Sequence, residues 1–136
     1  MSTPNLVEAF YQRIWDVGDL EAASELLTTD FSFRGSLGPE LRGQDAFKGY
    51  VQSIRAALAD YHCEIMECVT EGDQAFARMR FSGRHVGVFL GYQPTGKSVH
   101  WQGAALFRFK GQAISQVWVL GDLAGLEAVL KANDAA

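Results

Sequence analysis

Two titratable residues bracket one apolar stretch of this chain, His85 near its start and Asp122 at its end. Abstraction of a proton next to a carbonyl needs a base held against the carbon acid. A carboxylate between apolar walls has its pKa pushed up, because burial disfavours the charged form, and that makes it a better base near neutral pH. Asp122 is the candidate for this task. On the last predicted strand it shares a face with Ile114, Gln116, Trp118 and Leu120 by the period of two. Trp118 and Leu120 would then supply its apolar wall. The structural alternative is specific too: Asp122 directly precedes a predicted helix and would serve as its N-cap.

His85 shares its parity with Phe81, Gly83, Gly87 and Phe89. The opposite parity carries Gln74, Arg78, Arg80 and Arg84, so His85 is predicted to point inward. There it could polarise a carbonyl or shuttle a proton, or simply be a hydrogen-bonded core residue. His62 and His100 have no metal-ligand spacing with it, and no metal is expected.

The elements that must position these residues follow from periodicity. Leu6, Ala9, Phe10, Ile14 and Val17 recur at helical spacing before a stop at Gly18. A short helix with Leu20, Ala23, Leu26 and Leu27 on one face comes next, and Thr28-Thr29-Asp30 ends it. Phe31-Ser32-Phe33 reads as a brief strand, Gly35–Gly43 as a loop, and Gln44 to Asp60 as a third helix. A meander then runs through strands from His62 to Val69, Gln74 to Phe89, Ser98 to Phe109 and Ala113 to Leu120. A helix from Leu123 to Ala132 closes the chain. Helices set apart from an antiparallel sheet make an α+β domain, here one domain over residues 1–136. A strongly bent sheet with the N-terminal helices across its concave face encloses a cone, a mostly apolar pocket with a few polar groups.

Register decides which residues line that pocket. A two-residue turn at Gly111-Gln112 pairs Phe109 with Ile114, Phe107 with Gln116 and Trp101 with Asp122. Trp101, Phe107 and Phe89 then face the pocket. A three-residue turn would present His100 and Gln102 instead, since a one-residue slip exchanges the faces. Tyr11, Trp15 and Tyr50 lie on the helices that cover the cone, where they could reach a substrate or pack the core. Cys63 and Cys68, at odd spacing, should point to opposite faces as unbonded packing thiols.

Composition narrows the function classes. With 48% hydrophobic residues and a formal charge of −4, the chain has no basic stripe for nucleic acid. It shows neither a signal-peptide pattern nor an apolar run long enough to span a bilayer. A soluble cytoplasmic protein is expected. Gly91–Gly96 lacks the spacing of a phosphate loop.

Several of these residues combine into a family pattern. Glu71-Gly72-Asp73, Arg78, His85-x-Gly87-x-Phe89-x-Gly91, Pro94-Thr95-Gly96-Lys97, Phe107-Arg108-Phe109 with Gly111, and Trp118 four residues before Asp122 together resemble the SnoaL-like polyketide cyclases and the related ester cyclases. Both groups lie in the nuclear transport factor 2-like (NTF2-like) superfamily. Arg84 departs from the pattern, where a small residue or threonine is usual. The resemblance implies a cone-shaped barrel, a homodimer or homotetramer, and intramolecular aldol cyclisation without metal or organic cofactor. It also implies an acid/base role for Asp122, with His85 helping to hold the enolate. The substrate would be an apolar, carbonyl-bearing small molecule. A binding cone without chemistry, and a hydrolase or dehydratase using the same pocket, are the alternatives, because fold does not determine function.

Overall fold

The computed structural model describes residues 3–136. Helix α1 (Thr3–Ala9) continues without interruption into a π-helical stretch, Phe10–Asp16. Helices α2 (Ala22–Leu26), α3 (Gln44–Ala57) and α4 (Leu123–Ala135) follow at intervals along the chain. Six strands form one sheet: β1 (Leu27–Arg34), β2 (Glu40–Arg42), β3 (Leu58–Glu71), β4 (Gln74–His85), β5 (Ser98–Lys110) and β6 (Ala113–Gly121). Their spatial order is β2-β1-β6-β5-β4-β3. The meander of the last four strands is as expected. β1 is longer than the brief strand predicted, and it pairs parallel with β6. The loop after it contains a short antiparallel edge strand, β2.

The architecture is α+β, a curved sheet with helices laid against its inner face, and the core lies between the two layers. From the helical side it takes Phe10, Ile14, Phe47 and Val51; from the sheet it takes Ala77, Met79, Phe107 and Val117, all fully buried. The wider winding of the π stretch alters its apolar face, and Val17 stands 71% exposed rather than joining the core. Arg55 fastens the end of that stretch by donating from Nη1 to the carbonyls of Trp15 (2.6 Å) and Asp16 (2.8 Å). Asp16 adds a second tie, accepting from the Cys63 backbone N–H at 2.8 Å.

Two irregularities reverse faces that simple alternation assigns. The hairpin after β5 does turn on Gly111-Gln112, pairing Lys110 with Ala113 and Phe109 with Ile114. The register then shifts, so that Arg108 opposes Gln116 and Phe107 opposes Val117 rather than Gln116. Ser115 is the extra residue of this bulge. Beyond it, Val117 and Val119 point inward, while Trp118 and Leu120 lie on the outer face at 42% and 53% exposure. In β3 a shift between Ile65 and Glu67 places both Cys63 and Cys68 opposite inward residues, Phe81 and Ala77. The two cysteines therefore share a face, contrary to their odd spacing, and both are free thiols.

Candidate active site

A cleft opens inside the cone between the π-helical stretch, α3 and the loop that follows β1. Tyr11 and Trp15 project into it from the π helix, Tyr50 and Ile54 from α3, Tyr61 from β3, and Phe81 and Trp101 from paired positions on β4 and β5. Gly35, Ser36 and Leu37 form its remaining wall with Phe33 and Val119. Winding with π geometry often marks a functional segment, and here it carries two of the lining residues. The space that water can reach is ≈ 30 Å³, room for a water or two. A larger ligand must displace side chains.

The polar side chains of the cleft are hydroxyls and indole N–H groups. Tyr11 Oη and Trp101 Nε1 are buried with no hydrogen-bond partner. Burial, reinforced by the nearby thiols, pushes the Tyr11 hydroxyl well above its ordinary pKa and does the same to Tyr61. Desolvation raises Tyr50 to about 12, partly offset by a hydrogen bond with the backbone of Leu37. All three phenols therefore stay protonated over the physiological range. Among the described residues no carboxylate lines the cleft.

Asp122 lies just outside. Its neighbour Gly121 abuts Ser36 and Trp101, both of them cleft residues; a side chain at Gly121 would collide with the Ser36 hydroxyl. The Asp122 carboxylate itself is exposed and accepts from the Gly125 N–H at 2.9 Å, so it caps α4. The apolar wall expected from Trp118 and Leu120 is absent, because the bulge at Ser115 turns both outward. A desolvated base is thus replaced here by a solvated cap.

His85 is inward as expected, 1% exposed, and neither ring nitrogen has a partner. It does not line the cleft. Its ring meets Phe89 edge-on at 6.3 Å, and Phe89 in turn lies 6.0 Å from Trp101. The His85 amide bonds the carbonyl of Lys97, whereas the Asp122 amide bonds that of Gln102 on the other side of β5. Those anchors are five positions apart along extended chain, roughly 16 Å, so the fold does not bring the two backbones together. Phe107 is fully buried among Phe10, Tyr11 and Phe109 and serves the core. Among the described residues no three of His, Cys, Asp and Glu gather as a metal site.

Sequence reasoning placed Tyr11, Trp15, Tyr50 and Trp101 at the pocket and missed Tyr61, Ser36 and Leu37. Tyr61 sits where the helical period gives way to the strand period. A bulge between Ala59 and His62, with Asp60 at φ 55°, fixes its direction. No pattern in the Gly35–Gly43 loop signals that it folds back over the cone.

The family model for SnoaL-like polyketide cyclase matches residues 5–130. An aklanonic acid methyl ester cyclase from Streptomyces peucetius, DnrD, is 28% identical over 118 residues, covering 85% of this chain and 71% of that protein. The solved structure of TsrD from Streptomyces laurentii superposes with a TM-score of 0.82 at 28% identity, covering 95% and 94% of the two chains. A SnoaL-like protein from Jannaschia sp. CCS1 superposes with a TM-score of 0.84 at 20% identity, covering 98% and 92%. These matches identify the cone as the NTF2-like fold and support an enzyme of the cyclase type. With a family match over nearly its whole length, the chain belongs to the SnoaL-like polyketide cyclases.

Proposed function

We propose that this chain is a cytoplasmic, cofactor-independent cyclase that closes a ring in an apolar, carbonyl-bearing small molecule by an intramolecular aldol step. The observation that carries this reading is the pair of unpartnered donors, Tyr11 Oη and Trp101 Nε1, on the wall of an aromatic cleft. A substrate carbonyl would accept from both. As its α-proton leaves, negative charge collects on that oxygen, and donors already in place stabilise it without reorganising.

Asp122 is the proposed base, acting from the edge of the cleft beside Gly121. It takes the α-proton as its carboxylate gives up the Gly125 N–H. The enolate carbon then bonds to a second carbonyl carbon of the same molecule, and Asp122 returns the proton to the new alkoxide. Isomerisation by the same proton transfer is the simpler variant. The protein would work as a homodimer or homotetramer assembled through the outer sheet face, where Val69, Phe76, Trp118 and Leu120 stand exposed.

The capped carboxylate favours one rival, a ligand-binding cone that performs no chemistry. Asp122→Asn separates the two readings, because asparagine caps a helix as well as aspartate does but cannot serve as the base. With aklanonic acid methyl ester as the trial substrate, Asp122→Asn should lower kcat about 10²–10⁴-fold, the usual worth of a positioned base, with Tm unchanged. Tyr11→Phe should cost about 10²-fold by removing one oxyanion donor. Turnover unaffected by both substitutions would overturn the roles given to Asp122 and Tyr11, and tight binding of the ester with no turnover in the wild type would decide for the binding cone.

A further inference from the structure

The segment between β4 and β5 combines three features, of which the cyclase reading uses only the free Trp101 Nε1. Its outer side chains, Val86, Val88 and Leu90, are 41%, 59% and 40% exposed, although all are aliphatic. Its one fully inserted side chain, Phe89, lies between His85 and Trp101, in ring contact with both. Those two neighbours are both buried, and both carry nitrogen atoms without a hydrogen-bond partner. Phe89 can satisfy neither of them, since its ring offers no lone pair and no N–H or O–H.

The backbone around Phe89 is a separate small hairpin. Phe89 and Tyr92 exchange both of their amide bonds, at 3.0 and 2.9 Å. Leu90 and Gly91 between them have φ 49° and 82°, the primed turn that asparagine-glycine adopts readily and leucine does not. The base of the segment is tied down at both ends. Val86 and Gly87 donate to the Ala57 carbonyl at 2.9 and 3.1 Å, and Gly96 donates to the His85 carbonyl at 2.8 Å. Gly87 lies so close to Ala56 and Ala57 that any side chain there would press on their backbone. The fixed base and the strained tip set the segment from Val88 to Thr95 apart as a flap.

We propose that this flap is a lid, and that Phe89 is a removable plug filling a second, latent subsite between His85 and Trp101. Its ligand is a ring carrying a hydrogen-bonding oxygen, which takes Phe89's place and supplies the partner that His85 lacks. The inference rests on the reading of the cone as a small-molecule site. It does not depend on any reaction.

The test uses phenol and benzene as probes of Phe89→Ala, with binding followed by NMR of the His85 ring nitrogens. Phenol should bind at least tenfold more tightly than benzene, the His85 nitrogens should shift on phenol addition, and the preference should vanish in Phe89→Ala/His85→Leu. Equal affinities, or His85 resonances that stay in place, overturn the subsite. If Phe89→Ala does not fold, hydrogen exchange of the wild-type protein decides. The Phe89 and Tyr92 amides should exchange at least tenfold faster than that of Ala77 in the centre of β4, and Leu90→Asn should slow them severalfold. Exchange as slow as that of Ala77 overturns the lid. Neither measurement reads turnover, so the lid and the cyclase reading can fail separately.

Discussion

The two titratable residues singled out in the sequence meet opposite environments on the two sides of the cone. Beside the cleft, Asp122 has a hydrogen-bond partner and solvent but no enclosure. Under Phe89, His85 has complete enclosure but no partner. The cost of a buried polar group falls on the second, since no protein group supplies a compensating bond there. The first has kept its solvation and a bond to the helix end. A narrow cleft with ≈ 30 Å³ of free space agrees with this division. The cleft side presents protonated donors, and the Asp122 carboxylate stands outside it. The difference teaches that enclosure and solvated charge are kept apart in this fold.

The largest stability effect that sharpens the comparison is on the cleft side, at alkaline pH. Tyr50 titrates near 10.0 when unfolded and is raised to about 12 when folded, chiefly by burial. Its neutral form is the one favoured by folding. Its contribution is therefore complete below pH 10 and is lost as pH rises from 10 through 12. Two units correspond to roughly 2–3 kcal/mol. Denaturant melts from pH 8 to 12 should show a steeper alkaline loss in the wild type than in Tyr50→Phe, which has nothing to ionise. Parallel curves would mean that the Tyr50 hydroxyl is not desolvated in solution.

His85 predicts the opposite sign. A buried donor or acceptor left unsatisfied costs about 1–3 kcal/mol, and leucine is close to histidine in volume. His85→Leu should leave the free protein as stable as the wild type or more stable by about 1 kcal/mol. His85→Ala should destabilise it by about 2 kcal/mol or more through the cavity it leaves. Thermal melts of both variants check this. A marked loss in His85→Leu would show that the imidazole is hydrogen-bonded after all.

How far these features could be read in advance depended on regularity. β4 pairs with β5 without a break from Gln74↔Arg108 to Arg84↔Ser98; alternation alone placed Met79, Phe81 and His85 inward, whereas Trp101 depended on the two-residue turn at Gly111-Gln112. β6 has one extra residue at Ser115, and that residue undoes the same reasoning for Trp118, Leu120 and the walls of Asp122. Nothing in Ile114-Ser115-Gln116 announces a bulge, because each of those residues fits a regular strand. The parallel pairing of β1 with β6 was equally hidden, since its partner lies far along the chain and neither strand encodes the direction of the other. The cap at Asp122 was legible as an alternative from its place before a helix. Deciding between cap and base needed the direction of the side chain.

The smallest effect concerns that cap. Asp122 Oδ1 receives the Gly125 N–H at 2.9 Å, satisfying one of the donors that the first turn of α4 leaves unpaired. Its carboxylate also lies at the positive end of the helix. Removing a cap by substitution with alanine costs about 1 kcal/mol, so Asp122→Ala should lower stability by that amount and Asp122→Asn by a few tenths at most. The helix it secures carries Leu126 and Leu130 into the core and holds β5 through Asn133, which donates to the Ser98 carbonyl at 2.9 Å. Fraying of its first turn should therefore appear as faster amide exchange at Gly125 and Leu126 in the alanine variant alone. If Asp122→Asn loses as much stability as Asp122→Ala, the carboxylate's charge matters more than its hydrogen bond. Asparagine would then no longer be a neutral control, and the loss of turnover in that variant would have to be divided between helix and base.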